Sequence, residues 1–247
     1  MKQFKFTGML FCAAISFFLT SCGGGESKEE ASTDSTTAES TTTAVTPEVN
    51  TIITTPENIM LVTHKVSDFD KFKISYDEHD SMRLANGIHN YVIGRGVQDP
   101  NMVLVAVRVD DMAKAKAFAK DASLKKAMQK AGVTGTPSFS FITTTWQDTS
   151  VLGPDIIRSR TTFTVKDWDA WQKSFEEGKQ ERIDNGLTVR VVGHEADDNK
   201  KISLVTAIID SAKASAYWKS DMLKKRREEG GVIGEPKRFL FKVVQRY

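Results

Sequence analysis

Cysteine is almost absent from this sequence, which contains only Cys12 and Cys22. Every later position holds another residue type, so the long remainder of the chain can form no disulfide. The same absence excludes a zinc site with cysteine ligands, an iron–sulfur cluster and a cysteine nucleophile from that part of the chain.

Other chemical signatures are missing as well. The four histidines show neither His-x-His nor His-Glu-x-x-His spacing, no glycine-rich phosphate loop follows a strand, and no Gly-x-Ser-x-Gly elbow occurs. The formal net charge is only +2, and no dense stripe of lysine and arginine is present. The sequence therefore predicts no metal, no cofactor and no nucleic-acid partner.

The first residues have the pattern of a targeting segment. Lys2 and Lys5 precede an apolar run from Met9 to Leu19, and Leu19-Thr20-Ser21-Cys22 then resembles a bacterial lipoprotein cleavage site. The run is shorter than the roughly 20 residues of a membrane-spanning helix. We therefore predict a signal peptide over residues 1–21 and lipidation of Cys22. An uncleaved anchor and an ordinary signal peptide are the alternatives.

This interpretation predicts a bacterial cell-envelope protein that is held to a membrane by its lipid. The acidic stretch after Cys22 leaves both faces of an outer membrane open, the periplasmic face and the cell surface. Residues 22–56 are rich in serine, threonine and glutamate. Such a stretch buries too little apolar area to offset its ordering entropy, so we predict a disordered tether.

The rest of the chain contains an internal repeat. Residues 63–137 correspond without a gap to residues 162–236, at an offset of 99 residues. Among the matching segments are Arg83–Ile88 with Arg182–Leu187 and Gly132–Pro137 with Gly231–Pro236. Repetition at a fixed offset indicates duplicated structural units. We predict one domain over residues 57–148 and a second over residues 155–247.

Each repeat predicts the order strand, helix, strand, strand, helix, strand. Ile59 to Val66 is a β-prone run, and Ser67 or Asp68 can cap the helix that follows. Valines at 103, 105, 107 and 109 share one face of the third strand, which we expect to meet the helices. This βαββαβ order is that of the ferredoxin-like unit.

The resemblance extends to particular segments. The runs that carry it are Gly87–Ile93, Asp99–Val105, Ala113–Phe118 and Gly132-Val133-x-Gly135-x-Pro137. Together they resemble the dimeric α/β-barrel superfamily, in particular the small monooxygenase-like or "cyclase" members related to the antibiotic-biosynthesis monooxygenases. The resemblance implies an α+β fold in which the two tandem domains form the barrel within one chain, as a monomeric pseudo-dimer.

Haem-degrading members of that superfamily bind iron through a histidine on the second helix of the unit. The corresponding segments here, Ala113–Lys130 and Ala212–Glu229, contain no histidine. The resemblance therefore does not carry a haem role to this chain.

Strand alternation predicts a cationic face. The residues that it groups as candidate ligand-binding residues are Arg95, Arg158, Arg160, Arg190 and His194, with His89 and Tyr91 beside them. Unpaired guanidinium groups are costly to bury. These side chains could bind a small anion, pair with acids such as Glu57 and Glu195, or lie in water at the mouth of the barrel.

The catalytic candidates are weaker. They are His64, Tyr76, His89 and Tyr91, all in the first repeat. His64 has Phe163 as its repeat partner, which favours a core histidine over a catalytic one, whereas His79 has Gly178 as its partner and is read as a surface residue. Three functions stay open: binding of a small ligand, a cofactor-independent oxygenase or isomerase activity of the first repeat, and a purely structural or interaction module.

Overall fold

A computed structural model of the chain describes residues 50–247. The predicted signal peptide, Cys22 and most of the predicted tether lie outside these residues. The tether prediction is wrong at its end, because Ile52–Ile53 form a short strand, β1. β-Branched residues favour strands, and Thr51 Oγ1 donates a hydrogen bond of 3.0 Å to Asp148 at this pairing.

The first half contains the predicted order of elements, with each predicted helix divided into two. Its further strands are β2 (Glu57–Val66), β3 (Ile88–Gly96), β4 (Met102–Val109) and β5 (Val133–Asp148). Its helices are α1 (Phe69–Glu78), α2 (Asp80–Leu84), α3 (Met112–Phe118) and α4 (Ala122–Lys130).

The second half has the same order of elements. Its strands are β6 (Ile157–Val165), β7 (Leu187–Glu195), β8 (Asp198–Ile208) and β9 (Val232–Arg246). Its helices are α5 (Trp168–Glu177), α6 (Lys179–Asp184), α7 (Ser211–Trp218) and α8 (Asp221–Glu229). Among residues 50–247, none of the helices has the length and apolar character needed to cross a membrane.

All nine strands join one antiparallel sheet in the order β1-β5-β2-β4-β3-β9-β6-β8-β7, and β5 also pairs with β7. The pairing therefore closes the eight strands β2 to β9 into a ring. Two seams join the halves: β3 pairs with β9, and β5 pairs with β7. The prediction of a mixed α+β fold with a large antiparallel sheet is confirmed.

Equivalent residues begin the first helix of each half. The Asp68 carboxylate accepts a hydrogen bond of 2.8 Å from the backbone N–H of Lys71, and Asp167 accepts one of 2.9 Å from Ala170. These side chains satisfy backbone donors that a helix leaves free at its start. Of the two caps predicted for α1, the structure uses Asp68.

The sheet has a helix-side face and an interior face. The four valines of β4 are buried in the helix-side core with Phe72, Ala115 and Phe118, as alternation predicts. On the interior face, a second core contains Ile59, Val92, Leu104, Ala106 and Ile142, and Phe239 and Val243 of the second half pack against it. Apolar contacts therefore join the two halves across the interior.

A β-bulge in each half shifts the alternation of side chains. In β3 the register changes between Asn90 and Val92, so that Tyr91 and Val92 both line the interior while Ile93 joins the helix-side core. A bulge places two residues of one strand opposite one residue of its partner. The prediction that Tyr91 and Arg95 share the cationic face is therefore wrong.

The bulge in β7 has the same position and the same effect. The register changes between Val189 and Val191, Arg190 and Val191 line the interior, and Val192 belongs to the helix-side core. The prediction that Arg190 and His194 share the cationic face is wrong for the same physical reason.

We expect Gly193→Ala to lower the melting temperature by about 2–12 °C, since it strains the seam between β5 and β7. A Cβ at Gly193 would lie 2.6 Å from the Thr143 carbonyl oxygen and 2.9 Å from Thr144 Cα. Both are backbone atoms, which cannot rotate away. Overpacking of this kind costs about 1–3 kcal/mol, and each kcal/mol shifts the melting temperature by about 2–4 °C in a chain of this size.

Gly153→Ala is the matched control, because a Cβ at Gly153 meets nothing within 4 Å. Differential scanning calorimetry of both variants separates strain at the seam from the general effect of replacing glycine. Equal melting temperatures for the two variants would contradict the close approach at Gly193.

Candidate functional site

A cavity of about 70 Å³ lies between the sheet and the helices of the first half. Its wall is mostly aliphatic and aromatic, and it includes the flexible side chains of Met60, Met82 and Met128. Five residues with polar groups also line it: His64 on β2, Ser75 and Tyr76 on α1, His79 directly after α1, and Arg83 on α2. We call this space the His64 cavity.

His64 is buried, with 3% of its surface exposed, and its ring lies 5.0 Å from the ring of Phe72. Neither ring nitrogen has a hydrogen-bond partner among the described residues, and the same holds for Ser75 Oγ. Burial lowers the pKa of His64 to about 4. The ring is therefore neutral at physiological pH and presents one unused donor and one unused acceptor.

Tyr76 differs from His64, because its hydroxyl already has a partner. It donates a hydrogen bond of 2.6 Å to Asn90 Oδ1, which also accepts one of 2.9 Å from Arg83 Nε. The Asn90 amide in turn donates to Asp80 at 2.6 Å, and the Arg83 guanidinium lies 3.7 Å from the centre of the Tyr76 ring. Burial raises the pKa of Tyr76 to about 12. The network fixes the ring and keeps its proton.

The structure brings together only two of the four catalytic candidates. His89 is exposed, and its Nε2 lies 3.0 Å from the Asp110 carboxylate. Tyr91 lies on the interior face, with the Arg108 guanidinium 4.0 Å from its ring centre. His79, read from the sequence as a surface residue, instead lines the His64 cavity, and its Nδ1 lies 2.7 Å from the Ser75 carbonyl oxygen.

The second half has a cavity of about 100 Å³ at the equivalent place. At the offset of 99 residues, Phe163 stands where His64 stands and Phe175 where Tyr76 stands. The unpartnered imidazole is therefore specific to the first half.

A third cavity, of about 90 Å³, lies in the interior of the ring. Four arginines line it, which we call the arginine cluster: Arg158, Arg160, Arg190 and Arg246. The first three were predicted to share a face. Arg246 was not predicted, because its place depends on the register of the seam between β3 and β9, which no sequence pattern reveals.

Two of these arginines have defined partners. Arg190 donates to Asp148 at 2.5 Å and to Ser150 Oγ at 2.9 Å, and Arg160 Nε donates to Ser203 Oγ at 3.2 Å. Burial would raise the pKa of Asp148, but hydrogen bonds from Ser150 and the charge of Arg190 hold it below its ordinary value.

Two predicted ligand-binding residues lie outside the arginine cluster. The Arg95 guanidinium lies 4.3 Å from the ring centre of Phe69, and its Nε donates to the Pro100 carbonyl. The ring of His194 packs edge-on against Trp168 at 4.9 Å. Both side chains follow the bulges of their strands, which turn them toward the helices.

No group of three histidine, cysteine, aspartate or glutamate side chains within residues 50–247 is arranged to hold a metal ion.

The chain matches no protein-family model and no curated protein. Solved structures of similar fold include two with TM-scores above 0.5. One is a protein from Fusobacterium nucleatum with a provisional monooxygenase assignment; it is 12% identical, with a TM-score of 0.51, over 77% of this chain and 93% of that one.

The other is an anthrone oxidase-like protein, 13% identical, with a TM-score of 0.53, over 78% of this chain and 94% of that one. Identities this low establish the fold alone. The chain therefore shares with these structures a mixed α+β fold, built in this chain around one large antiparallel sheet.

Proposed function

We propose that this protein is a bacterial cell-envelope lipoprotein, anchored through Cys22, that binds a small and mostly apolar molecule in the His64 cavity. The folded part is a duplicated ferredoxin-like unit whose two copies form the barrel within one chain. The anchor rests on the sequence pattern around Cys22, and the binding site rests on His64.

The two seams support the duplication. At one seam β3 pairs with β9, and at the other β7 pairs with β5. Since β7 is the counterpart of β3, and β9 that of β5, both seams join the same two kinds of strand. The bulges in β3 and β7 also stand at matching positions. A pairing of this kind is expected from two identical units related by a two-fold axis.

The single observation that carries the binding function is that neither ring nitrogen of His64 has a hydrogen-bond partner among the described residues. A buried donor or acceptor without a partner costs about 1–3 kcal/mol. His64 and Ser75 together leave such groups facing an apolar cavity. The second half places phenylalanine at the equivalent position without this cost, so the fold itself does not require a histidine there.

The ligand that fits is compact and carries one hydrogen-bonding group. A cavity of about 150 Å³ holds benzene, so a ring in the His64 cavity of about 70 Å³ requires side chains to move. The methionines of the wall allow this movement, because their unbranched side chains adapt to irregular shapes. Ligand pockets for larger molecules are about 300–1,000 Å³.

A second candidate function is oxygenase chemistry without a cofactor. The names of two similar structures, a provisional monooxygenase and an anthrone oxidase-like protein, favour the oxygenase part of this candidate. Such a reaction needs a base that takes a proton from the substrate, and His64 is the one neutral base of the cavity wall without a partner. With its pKa of about 4, it lies roughly three units below neutral pH, and a general base works best near the operating pH. Binding is therefore the better supported function.

We expect His64→Phe to raise the melting temperature by about 2–12 °C, from about 1–3 kcal/mol for a buried group without a partner at about 2–4 °C per kcal/mol, and to abolish selective binding of a hydroxylated ligand. The substitution reproduces the residue of the second half and removes two unpartnered nitrogens. Phenol and benzene are the matched probes, because they differ by one hydroxyl group. The wild-type protein should bind phenol more tightly by a hydrogen bond's contribution of about 0.5–1.5 kcal/mol, and the variant should not.

The pH dependence of stability provides a second measure of the same substitution. The folded pKa of His64 is about 4 and its ordinary value is 6.5, so the unfolded chain binds more protons between these values. Stability therefore falls as the pH drops from about 6.5 to about 4, by about 3 kcal/mol, at 1.36 kcal/mol for each pKa unit. His64→Phe has no histidine at this position and should not show this loss of stability.

Isothermal titration calorimetry and urea unfolding at several pH values test both results. Equal affinity of the wild-type protein for phenol and benzene, or a lower stability of His64→Phe at neutral pH, would contradict the proposed site.

A further inference from the structure

The interior of the ring has an excess of positive charge. Four guanidinium groups of the arginine cluster face a cavity whose lining contains one carboxylate, Asp148, and Arg190 already pairs with it. Among the residues that the structure describes, Arg158, Arg160 and Arg246 form no ion pair. Glu195 partly offsets the charge of Arg160 without contacting it.

Arg158 shows the imbalance most clearly. It is buried, with 4% of its surface exposed, and its one hydrogen bond is a long one of 3.4 Å from NH1 to the Ile156 carbonyl. Burial, together with the charges of Arg246 and Arg190, lowers the pKa of Arg158 to about 10. A buried charge is stable only when it is paired and hydrogen-bonded.

A structural role explains two members of the cluster but not the others. Arg190 bonds to Asp148 and Ser150, and through them it ties β7 to the end of β5. Arg160 bonds to Ser203 of the neighbouring strand. Arg158 and Arg246 make no comparable side-chain contact with another element of the described chain, although both face the same cavity.

The cavity has the size and lining for a compact anion. Its volume is about 90 Å³, and apolar side chains such as Leu104 and Ile142 form the wall away from the arginines. The hydroxyl groups of Tyr91 and Ser203 stand beside the guanidinium groups as additional donors. Guanidinium presents a planar fork of donors that matches the oxygens of carboxylate and phosphate.

We propose that the interior cavity binds a compact oxyanion of the phosphate or small-carboxylate class, with Arg158 and Arg246 as its direct ligands. Arg160 and Arg190, held by Ser203 and by Asp148, supply further positive charge from fixed positions. The site is separate from the His64 cavity, which lies on the other face of the sheet, and it does not depend on the function proposed for that cavity.

Thermal unfolding of the full-length protein in detergent tests the site. Sodium phosphate, sulfate and acetate are compared with sodium chloride at the same ionic strength, which removes general screening of charge. We expect at least one oxyanion to raise the melting temperature by several degrees at a concentration a hundredfold above its dissociation constant. Phosphate and acetate distinguish a tetrahedral ligand from a carboxylate.

Arg158→Met and Arg246→Met test the residues, and Arg95→Met is the matched control because Arg95 packs on Phe69 outside the cluster. Each cluster variant should lower the affinity for the oxyanion more than tenfold, whereas the control should leave it unchanged. In chloride alone, Arg158→Met should raise the melting temperature, because it removes a buried charge without a partner. If Arg158 had a purely structural role, Arg158→Met would instead lower the melting temperature in chloride.

Three results would overturn the proposal. The first is the absence of any gain from the oxyanions beyond that from chloride. The second is a gain that persists in the double variant of Arg158 and Arg246, and the third is a loss of stability in Arg158→Met in chloride. Isothermal titration calorimetry with phosphate measures binding directly. It therefore shows whether the double variant still binds the anion, independently of any change in its stability.

Discussion

We expect residues 50–150, produced without the rest of the chain, to dimerise or aggregate, whereas residues 50–247 remain a monomer. The shorter fragment keeps β1 to β5 and the four helices of the first half, but it loses β9 and β7 as partners of β3 and β5. Its interior face, with Ile59, Val92, Leu104 and Ile142, then meets water.

The size of this effect follows from the burial of those four side chains. Each contributes roughly 1.5–3 kcal/mol, so their exposure costs about 6–12 kcal/mol as an upper bound. Whole domains are stable by only about 5–15 kcal/mol. A second copy of the fragment can replace the missing second half, because the β5 strand of that copy can pair with the free edge of β3 as β9 does in the longer chain.

Size-exclusion chromatography with light scattering measures the outcome. Residues 151–247 form the matched fragment, since they contain the other copy and expose the corresponding face. A well-folded, monomeric fragment of either half would contradict the importance of the two seams.

We expect Cys22→Ala to reduce the incorporation of labelled palmitate into the protein to background. The predicted cleavage leaves Cys22 as the first residue of the mature chain, and no other cysteine follows it. The part of the variant that follows the predicted cleavage site therefore has no thiol that this modification could use. The variant should be either released from the membrane fraction or retained as the uncleaved precursor.

Cys12→Ala is the control, because Cys12 lies within the predicted signal peptide and leaves with it. Labelling, membrane fractionation and the mass of the mature chain distinguish the two variants. Normal labelling of Cys22→Ala would show that the anchor is wrong, and it would leave the ligand site untouched.

In strands without a bulge, the alternation of side chains correctly predicted which residues face the helices and which face the interior. The valines of β4 face the helices, and Arg158 and Arg160 on β6 face the interior, because neither strand has a bulge at these positions. The prediction failed in β3 and β7, where one extra residue shifts every side chain that follows. A bulge depends on the pairing of two strands, so the sequence of one strand does not contain it.

The candidate site was predictable only in part for a similar reason. The sequence identified His64 as unusual through its partner Phe163, and it favoured a core histidine with satisfied nitrogens. The burial is correct, but the nitrogens have no partners in the described chain, and this depends on what the helices place opposite the ring. Arg246 joins the arginine cluster through a pairing between strands that are far apart in sequence, which no local pattern indicates.

The seam between β3 and β9 also determines when the ring of strands can close. β9 (Val232–Arg246) follows β1 to β8 in the chain, so the partner of β3 becomes available only after those strands. Until then the first half carries an open strand edge, and open edges recruit strands from other molecules. Pairing between distant segments is also slow. Newly made chains therefore pass through an interval in which they can aggregate with one another. A holding chaperone would be most useful during that interval.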